Sequence, residues 1–214
     1  SFESAKLAAG AVCSAPYIPL FFMGEEYAED APFLYFVSHS DEGLIRAVRE
    51  GRQKEFAAFQ WQGEVPDPQS EDTFARSRLR WDTVSTGCHA VMFRFYQKLI
   101  QLRKTVPALR ECDKNTVAVF SLAGRAFQLV RSFRESQVVC FMNFSSREER
   151  VLPQGFGGGL FYKRLDSSEA VWQGPGSFAA PEASAGQEAL VLRPWQFVIY
   201  ERRENDATKQ EVPS

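Results

Sequence analysis

The sequence has little of what most catalytic chemistry requires. It holds two histidines, His39 and His89, in 214 residues, and four cysteines that form no Cys-x-x-Cys pair. Such a set does not supply a tetrahedral zinc site, and no metal or other cofactor is expected. Scattered cysteines read as reduced thiols of a cytoplasmic protein, with Cys13 and Cys140 in apolar runs and therefore in the core. No Gly-x-Ser-x-Gly elbow is present, which leaves a Ser-His-acid nucleophile without its usual setting. No apolar run reaches the roughly 18–20 residues of a membrane span. There is no charge excess either: Lys plus Arg is 25, Asp plus Glu is 27 and the net charge is −2. That balance gives no footprint for nucleic acid or an anionic membrane. The first residues, SFESAKLAAGAVC, have no basic stretch ahead of an apolar one, so a signal peptide is not expected. They also lack an initiator methionine, which fits a piece of a longer chain.

Apolar material is plentiful. The chain is 44% hydrophobic and 14% aromatic, with 19 phenylalanines, enough for one large core or two small ones. Ser4–Cys13 reads as a short helix ended by Pro16. Pro19–Gly24 is apolar without alternation, the pattern of a parallel strand buried on both faces. A long irregular insertion follows. Within it Asp41 can cap a helix running through Glu50, and Ser70 can cap a short one whose acidic start and basic end suit the helix dipole. The charge run RQKEF reads as a solvated helix face. Cys88–Lys104 is the clearest helix, with Met92, Phe95, Tyr96, Leu99 and Leu102 at helical spacing and Pro107 as its stop. From Thr116 to Arg202 the pattern turns to short strands: 117–122, 126–133, 137–143, 150–152, 160–165, 189–192 and 196–201. Their spacing predicts an antiparallel sandwich. The polar tail, 204–214, is expected to be disordered. The predicted division is 1–110 for a last barrel strand with flanking helices and the insertion, 111–203 for the sandwich, and then the tail.

Glu25 and Glu26, directly after the apolar run, are the natural candidates for chemistry. Carboxyl pairs that cleave glycosidic bonds face each other across the bond, roughly 5–9 Å apart. Neighbours on an extended chain point to opposite sides and cannot do this. One of the two is expected to face a ligand and the other to pair with a basic group or close a turn. His89, at a helix start, reads as a satisfied or exposed histidine. His39 lies in an aromatic loop and is a candidate for touching ligand. Phe33, Tyr35, Phe36, Trp61 and Trp81 could stack on sugar rings, or hold the long loop in place. GFGGG, 155–159, lacks the phosphate-loop pattern and a following helix, and reads as a hairpin link.

PYIPLFFMGEEY resembles the eighth strand of the α-amylase family of glycoside hydrolases, a (β/α)8 barrel followed by a C-terminal β-sandwich. LIQLRKTVPALR is similar to that family's last barrel helix. VVCFMNFS and LRPWQFVIYE are similar to strands of its sandwich. APFLYFVSHSDEGLIRAVREGRQKEFAAF and GEVPDPQSEDTFARSRLRW resemble the malto-oligosyltrehalose trehalohydrolase branch. The resemblance implies the terminal part of such a barrel with its antiparallel sandwich. It also implies retaining hydrolysis of the α-1,4 bond next to the terminal trehalose of maltooligosyl-trehalose. In that mechanism one carboxylate attacks the anomeric carbon, a glutamate protonates the leaving oxygen, and an aspartate steadies the sugar. The family's reacting acids precede the residues matched here, and no Asn-His-Asp motif is present, so no catalytic residue is assigned to this chain. Glu25, Glu26, Tyr27, Phe33 and His39 are the implied substrate-side residues. The implied partners are maltooligosyl-trehalose or a related α-glucan and the N-terminal barrel portion of the same enzyme. Alternatives are a non-catalytic carbohydrate-binding or scaffold module and one half of a split enzyme.

Overall fold

The computed structural model describes residues 1–58, 65–155, 158–184 and 189–202. They form two compact units, residues 1–28 with those from 86 onward, and residues 29–85. These units do not coincide with a division at residue 110. Trp61, part of GFGGG and the tail lie outside the described residues.

The first unit is organised around a six-stranded antiparallel sheet in the order β1-β2-β3-β8-β5-β6. Its strands are β1 (Val117–Ser121), β2 (Ala126–Phe133), β3 (Ser136–Asn143), β5 (Leu160–Asp166), β6 (Glu182–Ser184) and β8 (Phe197–Arg202). The remaining pair, β4 (Glu149–Val151) and β7 (Leu190–Leu192), makes a separate two-stranded sheet. Alternation along the central strands feeds two cores. Val138, Cys140 and Met142 of β3, with Phe197 and Ile199 of β8, face the helices. Val139, Phe141, Val198 and Tyr200 face the opposite way, toward Val151, Leu190 and Leu192. This is the period of two expected of a strand, with both faces apolar because both are covered. The expected sandwich is therefore one large sheet with two short strands on one face and helices on the other.

Those helices are α1 (Phe2–Ser14), α4 (Gly87–Thr105) and α5 (Pro107–Arg110). Ser1 and Ser4 close a reciprocal capping box, which starts α1 two residues before the periodicity suggests. Gly10 lets α1 lie against the sheet: a Cβ there would sit 2.4 Å from the Phe197 ring. The α4 stripe of Met92, Phe95, Tyr96, Leu99 and Leu102 is buried. Pro107 does more than stop α4. It opens α5, where its missing N–H costs nothing.

Two arginines hold the end of α1. Arg103 Nη1 donates to the carbonyls of Cys13 at 2.8 Å and Ala15 at 2.9 Å, and Nη2 donates to that of Tyr17. Arg131, fully buried, donates to the carbonyls of Ser14 at 2.9 Å, Ala15 at 3.1 Å and Glu111. Carbonyls at a helix C-terminus carry partial negative charge, so they suit cations. Burial, followed by the nearby Arg103 charge, pushes the Arg131 guanidinium below its usual pKa.

The apolar run beyond this clasp corrects the sequence reading. Among the described residues Pro19–Gly24 pairs with no strand. Ile18, Leu20 and Phe22 are exposed at 86%, 92% and 53%, while Phe21 packs on the helix-side core. A strand is made by hydrogen bonds to a neighbour. Apolar composition predicts burial but does not supply that neighbour.

The second unit contains α2 (Glu42–Ala58), α3 (Glu71–Arg76) and a 3-10 turn at Trp81–Thr83. Asp41 Oδ1 accepts from Leu44 N at 2.6 Å, and Ser70 Oγ from Asp72 N at 3.3 Å, as helix-start residues do. Helix α2 runs through Gly51 and beyond the expected end at Glu50. The RQKEF residues lie within it. No helix among the described residues is long and apolar enough to cross a membrane.

Candidate functional site

The apolar run ends in a tight turn. Gly24 adopts a left-handed conformation, φ 91°, and Ala28 another, φ 54°, on either side of the 3-10 turn Glu25–Tyr27. Glu26 folds back so that its Oε2 accepts from Gly24 N at 2.9 Å. Glu25 points to α4, where its Oε1 accepts from Tyr96 Oη at 3.1 Å. The two carboxylates therefore diverge, although a helical turn rather than a strand separates them. Burial, then the negative charge of Glu25, pushes the Tyr96 phenol well above its usual pKa, so it remains a donor. Tyr27 is fully buried, and its carbonyl lies 2.9 Å from His89 Nδ1. The rings of Tyr27 and His89 meet edge-on at 6.5 Å. His89 thus supports the turn through its backbone.

Phe33 and His39 belong to the second unit, so the five expected residues fall into two groups. His39 is half-buried and is held by its backbone: its N–H donates to Gln69 Oε1 at 3.2 Å, and Gln69 Nε2 donates to its carbonyl at 2.8 Å. Phe33, Phe36 and Phe74 form an edge-to-face row, with centroid distances of 6.2 and 5.1 Å, and all three are exposed. Phe36 and Phe74 line a cavity of about 590 Å³ whose polar wall is Ser38, Gln69, Ser70 and Glu71. A concave site with an aromatic face and a few polar groups suits a small polar ligand with apolar patches, such as a sugar ring. Trp81, also exposed, does not line it. Among the described residues no group of three or more His, Cys, Asp or Glu is placed to hold a metal ion.

No family model matches the chain. Curated relatives do. It is 42% identical over 109 residues to the malto-oligosyltrehalose trehalohydrolase of Rhizobium sp. (strain M-11), covering 50% of this chain and 18% of that protein. It is 47% identical over 104 residues to the protein of the same name from Deinococcus radiodurans, covering 48% and 17%. The chain resembles malto-oligosyltrehalose trehalohydrolases. It spans less than a fifth of the length of these two trehalohydrolases, a partial coverage that fits a C-terminal portion. A solved structure of an α-amylase-type protein from Salmonella typhimurium superposes with a TM-score of 0.70 at 29% identity, covering 94% of this chain and 31% of that one.

Three residues of this trehalohydrolase-like chain were not singled out by sequence reasoning. Tyr96, read as core stripe, is the partner of Glu25. A phenol among apolar stripe residues requires a hydrogen-bond partner, and that was the available signal. Gln69 and Phe74 shape the second-unit cavity, and no periodicity marks either.

Proposed function

We propose that this chain is the C-terminal portion of a retaining glycoside hydrolase of the α-amylase family. The complete enzyme cleaves the α-1,4-glucosidic bond next to the terminal trehalose of maltooligosyl-trehalose and releases trehalose. The observation that carries this reading is the 47% identity over 104 residues to the Deinococcus radiodurans trehalohydrolase. In the complete enzyme residues 1–110 close the barrel and 111–203 form the C-terminal sheet domain. The reacting carboxylates lie in the preceding part. Glu25 is engaged with Tyr96 and Glu26 with the backbone N–H of Gly24, so the two do not face each other as a nucleophile and acid pair. Glu25 and Glu26 form cleft wall with the buried Tyr27 behind them, and Phe33 and His39 belong to the loop at its edge. The enzyme is cytoplasmic and takes an α-glucan substrate.

The test compares this chain with a protein extended upstream by the coding sequence that precedes Ser1. Trehalose release from maltotriosyl-trehalose is expected from the extended protein and absent from the chain alone. No release from the extended protein overturns the proposal. The exposed row of Phe33, Phe36 and Phe74 beside its cavity favours a second reading, a glucan-holding module. Loss of retention on amylose in Phe36→Ala and Phe74→Ala would identify that role.

A further inference from the structure

A second concave site lies at one end of the six-stranded sheet, where the β1–β2 turn, the β3–β4 loop and the β7–β8 turn converge. It encloses about 410 Å³, within the roughly 300–1,000 Å³ of small-molecule sites. Trp195 and Phe144 supply aromatic surface, and Arg125, Arg147 and Glu149 supply charged groups.

The site is built rather than incidental. Asn143, fully buried, joins two of its loops: Nδ2 donates to the carbonyls of Arg147 and Arg193, both at 2.8 Å, and Oδ1 accepts from Ser145 N at 2.9 Å. Trp195 is held with φ 58°, a left-handed conformation that a bulky residue rarely adopts. Its turn is closed by Gln196, whose Oε1 accepts from Arg193 N at 2.6 Å, and its own N–H donates to Ser145 O at 3.2 Å. Backbone strain held so firmly is most often found where a side chain must be placed for a purpose. Gly124 leaves room for the carboxylate: a Cβ there would meet Glu149 Oε2 at 2.3 Å. Glu149 Oε1 accepts from Ser145 Oγ at 3.0 Å, which orients it. The side chains of Arg125 and Arg147 make no hydrogen bond or ion pair among the described residues, so their donors are available.

We propose that this cavity binds a neutral saccharide, and specifically α-linked glucose units. Ring C–H faces pack on the indole and phenyl groups, while planar guanidinium and carboxylate groups pair with adjacent hydroxyls. A phosphate or sulfate would meet the Glu149 carboxylate in the same space, which disfavours anions. The choice of glucose rests on the glucan reading above; the saccharide class rests on the cavity.

Titration of the 214-residue chain with maltotriose, followed by amide and indole N–H chemical shifts, tests this. Saturable shifts are expected at Arg125, Phe144, Arg147 and Trp195. The double variant Arg125→Ala, Arg147→Ala alters two exposed side chains and should leave the melting temperature unchanged while weakening binding by about tenfold or more. Absence of saturable shifts overturns the proposal. So does binding that maps elsewhere, binding the double variant leaves at full strength, or inorganic phosphate that moves these amides where maltotriose does not. Trehalose release by the extended enzyme is scored separately, so failure here leaves the hydrolase reading standing, and failure there leaves this site standing.

Discussion

Residues 29–85 and the sheet-containing unit are held together by different forces. The sheet unit has two apolar cores, with Phe95, Phe161, Phe197 and Val198 fully buried. In residues 29–85 the buried apolar side chains among the described residues are Pro68 and Ile45, the latter only at the margin. Polar hubs take over there. Glu29 accepts from the backbone N–H of Ala31 at 2.9 Å and of Arg80 at 2.7 Å. Arg49 and Asp67 form a two-pronged pair at 2.8 Å on each prong. Ser77 Oγ accepts from Leu34 N at 3.1 Å and donates to Thr73 O at 2.8 Å. Apolar burial is non-directional and scales with area, whereas directed polar ties depend on geometry and on ionisation. The two units should therefore fail under different insults.

The strongest break is expected in the sheet unit. Phe197→Ala removes a fully buried ring that touches the α1 approach at Gly10 and should cost about 3–5 kcal/mol, read as a shift of the denaturant midpoint. A loss under 1 kcal/mol would contradict the core assignment. In residues 29–85, Gln69→Ala removes both bonds to the His39 backbone and should cost about 1–2 kcal/mol. Hydrogen exchange should rise around His39 while the amides of β2 and β3 keep their protection.

Acidification should also separate the two units. The hydrogen bond from Arg49, then that from Gln69 N–H, holds the Asp67 carboxyl below the usual range. A depressed folded-state pKa contributes stability above the unfolded value, near about 4, and that contribution is lost as pH falls through the folded value. Exchange protection in residues 29–85 should thus fall on acidification below about pH 4, and Asp67→Asn should flatten the response. The pair is exposed, so added salt should mimic part of the effect. The mildest test is chemical. Cys88 and Cys112 are exposed and should react with a thiol reagent in the folded chain. Burial pushes the Cys13 and Cys140 thiols up to about 11 and about 12, so they should react only on unfolding.

The sheet was largely legible in the sequence because strand alternation and turn residues are local signals. Ala126–Phe133 matches the predicted strand residue for residue, and the other predicted strands shift by about one residue at their ends. β6, Glu182–Ser184, escaped because three residues with one apolar side chain give no alternation to read. The α4 stripe was legible for the same local reason. What was hidden depends on distant partners. The Glu25–Tyr96 bond spans 71 positions and the Asn143–Arg193 bond 50. Trp195's left-handed backbone has no compositional mark, because tryptophan is the last residue one would place there. The Pro19–Gly24 run was misread because composition reports that a segment seeks cover without saying what provides it.

That run also has a bearing on handling the chain in solution. Six consecutive uncharged residues join no strand among the described residues, and the side chains of Ile18 just before them and of Leu20 and Phe22 among them are exposed; such a segment is of the kind onto which a second molecule can zip. Pro16 and Pro19 each remove an amide donor, Pro19 at the first residue of the run, which shortens any ladder along it. Two missing donors at its entry should weaken edge-to-edge pairing of two such chains, while the apolar side chains stay available for cover.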